Sequence, residues 1–129
     1  MENLLKELIE LEEKLKEKNQ KVGNDFRKFC RKICEISNLN SFFIGYLKDN
    51  WGNEQYSLYY NYEEDRVEKW KYYRYRCEED VFESVYKVTI MRLPDLMKKV
   101  ERRIEKMIER RKEVIKNYKK LEEVLKILK

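Results

Sequence analysis

The sequence predicts an α+β fold. A long antiparallel two-helix, coiled-coil-like hairpin forms from the N- and C-terminal segments, and a four-stranded antiparallel β-meander is inserted between its helices. Three observations predict it. Apolar residues at both ends of the chain step by alternating fours and threes, a repeat that keeps one stripe of a helix facing one partner helix. The middle of the chain changes period and is rich in Tyr, Phe, Ile and Val, with polar breaks between the runs. The length, 129 residues, suits a single domain with a modest core. Residues 1–37 are read as helix, 38–91 as meander and 93–128 as helix.

In the first helix, Leu4, Leu8, Leu11, Leu15, Lys18 and Val22 follow the repeat, and Phe26, Phe29, Ile33 and Ile36 continue it after a one-residue slip in phase. Gly23-Asn24-Asp25 sits at the slip. Glycine weakens a helix and Asn or Asp can cap a new one, so a kink or short break is expected at 23–25.

Four β-favouring runs follow: Ser41–Leu47, Gln55–Tyr62, Val67–Arg76 and Val81–Ile90. Alternation puts Tyr56, Leu58, Tyr60 and Tyr62 on a core face with Tyr86, Val88 and Ile90, joined by Trp70 and Tyr72. The opposite face then carries Tyr59, Lys69, Lys71, Tyr73, Tyr75 and Lys87.

Leu93, Met97, Val100, Ile104, Met107, Val114, Tyr118, Leu121, Leu125 and Leu128 form the stripe of the last helix, with Arg111 as its one polar member. Pro94 and Asp95 suit a first helical turn. An antiparallel register pairs Leu4 with Leu125, Leu8 with Leu121, Leu11 with Tyr118, Leu15 with Val114 and Val22 with Met107. It sets Lys18 against Arg111, the two polar positions.

Composition narrows function. Charged residues make up 43% and hydrophobic ones 42%, too apolar for a disordered chain. The absence of histidine excludes Ser-His and Cys-His pairs and imidazole metal ligands. Cys30, Cys34 and Cys77 fall one short of a zinc set and read as free thiols, with a disulfide from Cys77 to one of the other two as an alternative. The carboxylates at Glu63-Glu64-Asp65 and Glu78-Glu79-Asp80 sit in turns. No enzyme, cofactor or metal site is expected. No run of ~20 apolar residues is present and the N-terminal segment is acidic, so a cytoplasmic protein without a membrane span is expected.

The net charge of +5 is uneven. Residues 92–129 carry 14 basic and 7 acidic groups, whereas residues 41–91 carry 7 and 10. On the last helix Lys98, Arg102, Lys106 and Arg110 form a basic ridge beside an acidic one. Surplus apolar residues Leu5, Ile9, Val124 and Ile127 widen the stripes. The leading expectation is a non-enzymatic scaffold or adaptor that self-associates through its helices, a dimer being favoured, with those four residues at the contact. Another protein partner would also fit such a surface. The alternative is a nucleic-acid-binding protein using the basic ridge and the Tyr/Lys sheet face.

Overall fold

The computed structural model describes residues 1–48, 55–71, 75–78 and 93–128. Two long helices flank a four-stranded antiparallel sheet: α1 (Glu2–Ser37), β1 (Ser41–Lys48), β2 (Gln55–Asn61), β3 (Arg66–Lys71), β4 (Tyr75–Glu78) and α2 (Leu93–Leu128). The strands lie in chain order, β1-β2-β3-β4. The α+β class and the antiparallel meander are therefore as the sequence predicts.

The membership of the meander differs from expectation. The run Val67–Arg76 divides into β3 and β4, which pair with one another. The expected strand Val81–Ile90 lies outside the described residues.

Helix α1 runs unbroken through Gly23-Asn24-Asp25, so of the expected kink or short break, the break is absent. Gly23 is buried, and Asn24 accepts a hydrogen bond from Arg27 one turn on instead of capping a new helix. The helix ends at Asn38, whose left-handed backbone (φ 53°) Asn tolerates better than most residues. The Leu39 N–H then closes on the Cys34 carbonyl at 2.9 Å.

The core joins Phe26, Cys30, Ile33 and Cys34 of α1 to Phe42, Ile44, Leu58, Tyr60 and Val67 of the sheet and to Leu96 and Val100 of α2. Cys30 and Cys34 take the places expected for Phe29 and Ile36, which are exposed; Leu96 likewise replaces the exposed Met97. A sheet covers a helix face with the full 3.6-residue period, and that face drifts away from a strict heptad stripe.

Cross-strand register corrects the face assignment of β3. Leu58 stands opposite Lys69 and Tyr56 opposite Lys71, so both lysines share the side of the core strand residues. The Lys69 ammonium lies 4.2 Å from the centre of the Tyr56 ring. Tyr59 pairs with Glu68, and Ser57 with Trp70. Trp70 therefore lies on the opposite face from the one expected. Leu58 and Tyr60 are fully buried as expected, while Tyr56 and Tyr62 are half-buried.

Helix α2 runs along the edge strand β1. Gly45 abuts Lys99, and the Arg103 guanidinium carbon lies 5.7 Å from the Phe43 ring centre. Of the expected layers between the two helical stripes, Val22 and Met107 are partly buried against the core, whereas the layers toward the open end are exposed. Leu11 keeps 55% of its exposure and Tyr118 60%, and Leu4, Leu8, Leu121 and Leu125 are similarly open. From Ile108 to Leu128 every residue of α2 is exposed.

Candidate functional site

Two surfaces stand out, both built where α2 leaves the sheet. The first is an open cleft of about 560 Å³ between β1 and α2. Phe43 and Tyr59 form its sheet wall, their ring centres 5.2 Å apart. Tyr46 meets Phe43 edge-on at 5.1 Å and extends the aromatic run along β1. The bulge between Phe43 and Gly45 brings Tyr46 to the same side as Phe43. The helix wall carries Arg103, Lys106, Arg110 and Arg111 with Glu109 and Glu113, an excess of two positive charges. Arg103 is half-buried, and its Nε is buried with no hydrogen-bond partner among the described residues.

Ser41 and Tyr59 also line a smaller cleft with Asn61, Glu68 and Trp70, so the aromatic surface continues across β2 to β3. Glu68 anchors this part. Its carboxylate is buried and accepts hydrogen bonds from Arg66 Nε at 3.0 Å, Arg76 Nη1 at 3.1 Å, Asn61 Nδ2 at 3.3 Å and Trp70 Nε1 at 3.3 Å. Burial pushes its pKa up, but the four donors outweigh burial and hold it below the ordinary carboxylate value. With its lone pairs committed, Glu68 acts as a clamp that fixes Trp70 and two arginines, not as a base.

The second surface is an apolar groove of about 610 Å³ between the end of α1 and the middle of α2. Phe29, Ile33 and Ile36 line one side, and Ile104, Met107 and Ile108 the other. Beyond it, both heptad stripes continue as exposed apolar rows.

The predicted site residues distribute unevenly. Tyr59, Lys106 and Arg110 converge on the basic cleft. Lys98 and Arg102 are exposed on α2 and do not line it, and Lys69 and Lys71 lie on the other side of the sheet. Tyr75 belongs to β4, whereas Tyr73 and Lys87 lie outside the described residues. Leu5, Ile9, Val124 and Ile127 are all exposed, with Ile127 the most open at 83%. Sequence reasoning missed Phe43, Arg103 and Glu68. Glu68 had a readable signal: Arg66 and Trp70 flank it at the two-residue spacing of one strand face.

None of the three cysteines is in a disulfide; Cys30 and Cys34 are buried and Cys77 is exposed. Among the described residues no three Cys, Asp or Glu side chains gather as a metal site, and no helix is long and apolar enough to cross a membrane. In the Glu63–Asp65 turn, Asp65 accepts a hydrogen bond from the Tyr60 hydroxyl and Glu64 pairs with Arg66 at 3.7 Å. No protein-family model matches this chain, and neither a curated protein nor a solved structure matches it.

Proposed function

We propose that this protein is a non-enzymatic scaffold that self-associates through its helices, the occupant of each exposed stripe being a helix of a second copy. The observation that carries this reading is the pair of open heptad stripes. Leu4, Leu8 and Leu11 on α1, and Val114, Tyr118, Leu121 and Leu125 on α2, are each at least 44% exposed. A regular 4-3 row of large apolar residues is costly to leave in water and is shaped to receive one helix.

Charge selects the pairing. Residues 1–18 carry six acidic and four basic side chains, a net −2. Residues 108–128 carry seven basic and four acidic ones, a net +3. Like arms repel and unlike arms attract, so α1 of one copy pairs with α2 of the other. The antiparallel register read from the sequence then applies between chains, with Leu11 facing Tyr118. A two-fold axis would generate two such contacts per dimer. Leu5, Ile9, Val124 and Ile127 flank the stripes and would be enclosed where the arms meet.

Sedimentation equilibrium at micromolar concentration tests the reading. A dimer is expected, and the double variant Ile9→Glu, Val124→Glu should sediment as a folded monomer. A wild-type chain that stays monomeric across that range would overturn it.

A further inference from the structure

We propose that the cleft between β1 and α2 binds single-stranded nucleic acid, with a base on the Phe43–Tyr59 surface and its phosphates on Arg103, Lys106 and Arg110. Three observations converge on this chemistry. The cleft pairs two aromatic rings with a cationic wall, the combination that holds unpaired bases without reading their sequence. Arg103 is set over the Phe43 ring, and its buried Nε is a donor whose acceptor no described residue supplies. A buried unsatisfied donor is costly and marks a place where a ligand acceptor would be favoured.

The surface also has the continuity a strand needs. Tyr59 and Ser41 are shared with the neighbouring cleft, which leads to Trp70, held in place by Glu68. A chain entering over α2 would meet cations first and then the rings of Phe43, Tyr59 and Trp70 in turn across β1, β2 and β3. A duplex keeps its bases stacked on one another and offers no free ring faces to this wall. An acidic peptide would satisfy the cations but leave the aromatic wall unused. The residues assigned to the phosphates, Arg103, Lys106 and Arg110, lie outside the heptad stripe of α2, so the proposal does not rest on self-association.

The test is a fluorescence-anisotropy titration of the full chain with a labelled oligothymidylate, its duplex with oligoadenylate, and polyglutamate, at low and moderate salt. The single strand should bind best. Tyr59→Ala should weaken it roughly 5- to 150-fold, the loss expected for one stacked base. Arg110→Ala and Lys106→Ala, both exposed on α2, should each weaken it and lower the salt slope by about one counterion. Lys119→Ala, of equal charge change but outside the cleft, should have a clearly smaller effect. A thermal melt of Tyr59→Ala separates lost stacking from lost folding, and the two exposed variants decide the matter should it unfold. No binding at low salt would overturn the proposal, as would equal affinity for duplex or polyglutamate, or equal effects of Lys119→Ala and Arg110→Ala.

Discussion

The backbone of Gly45 lies directly against the side-chain stem of Lys99. A Cβ placed on Gly45 would come within 3.0 Å of Lys99 Cδ and 3.2 Å of its Cβ. The glycine also holds φ +156°, where side chains are strained. This one position lets α2 close onto β1.

Gly45→Ala is therefore expected to destabilise the fold by about 1–3 kcal/mol, since the Lys99 Cβ cannot swing aside as the end of its chain can. Urea unfolding would show it as a lower midpoint at unchanged slope. A midpoint equal to wild type would mean that α2 does not rest on β1 as tightly as this contact requires.

Glu68 makes stability depend on pH in the acid range. Its folded-state pKa lies below the ordinary 4.5, because hydrogen bonds from Arg66, Asn61, Arg76 and Trp70 outweigh the upward push of burial. As pH falls, the unfolded chain takes up this proton before the folded one does. The stabilisation is therefore fully present above the ordinary value, and is lost as pH drops below 4.5 and through the folded-state value. Glu68→Gln should cost about 1–3 kcal/mol near neutrality, and the gap to wild type should close in acid. A gap independent of pH would refute the clamp.

The thiols give a prediction of opposite sign. Burial, and then the neighbouring Cys34, push the Cys30 thiol up from its ordinary 9.0 to about 12. Cys34 is raised as well, by burial first. The unfolded chain ionises these groups near 9.0 while the folded one keeps them protonated, so stability should fall as pH rises above that value. A thiol probe should label Cys77 alone in the native protein and all three residues once it is denatured. Fast labelling of two or more native thiols would contradict the burial of Cys30 and Cys34.

Those cysteines also show where sequence reading reaches its limit. Both long helices, β1, β2 and the core role of Leu58 and Tyr60 follow from periodicity. The choice of Cys30 and Cys34 over Phe29 and Ile36 does not, because a heptad presumes a helical partner and this part of α1 packs on a sheet. The face of β3 is illegible for a related reason. Val67 and Glu68 are adjacent yet both buried, and a register shift follows between Lys69 and Trp70, so simple alternation fails. In the cleft, Tyr59, Lys106 and Arg110 were readable as aromatic and basic candidates. Phe43 and Arg103 join them only because α2 lies along β1, a tertiary contact with no local signature.

Pairing of arms between copies makes a prediction that pairing within one chain does not. Leu11→Glu places a charge in the middle of the α1 stripe, and Tyr118→Glu does the same on α2. In a two-fold dimer each variant alone carries the defect in both of its arm contacts, so each should sediment as a monomer. When the two variants are mixed, a heterodimer concentrates both defects in one contact and leaves the other with wild-type Leu11 against wild-type Tyr118. Mixing should therefore restore a dimer that neither variant forms alone, weaker than wild type because one contact remains broken. Because both residues are exposed in the single chain, neither substitution should unfold the sheet core, which circular dichroism of the separate variants would verify. If the arms pair within a chain, every molecule in the mixture still carries its own defect and no dimer returns. That outcome would assign the open stripes to a different partner.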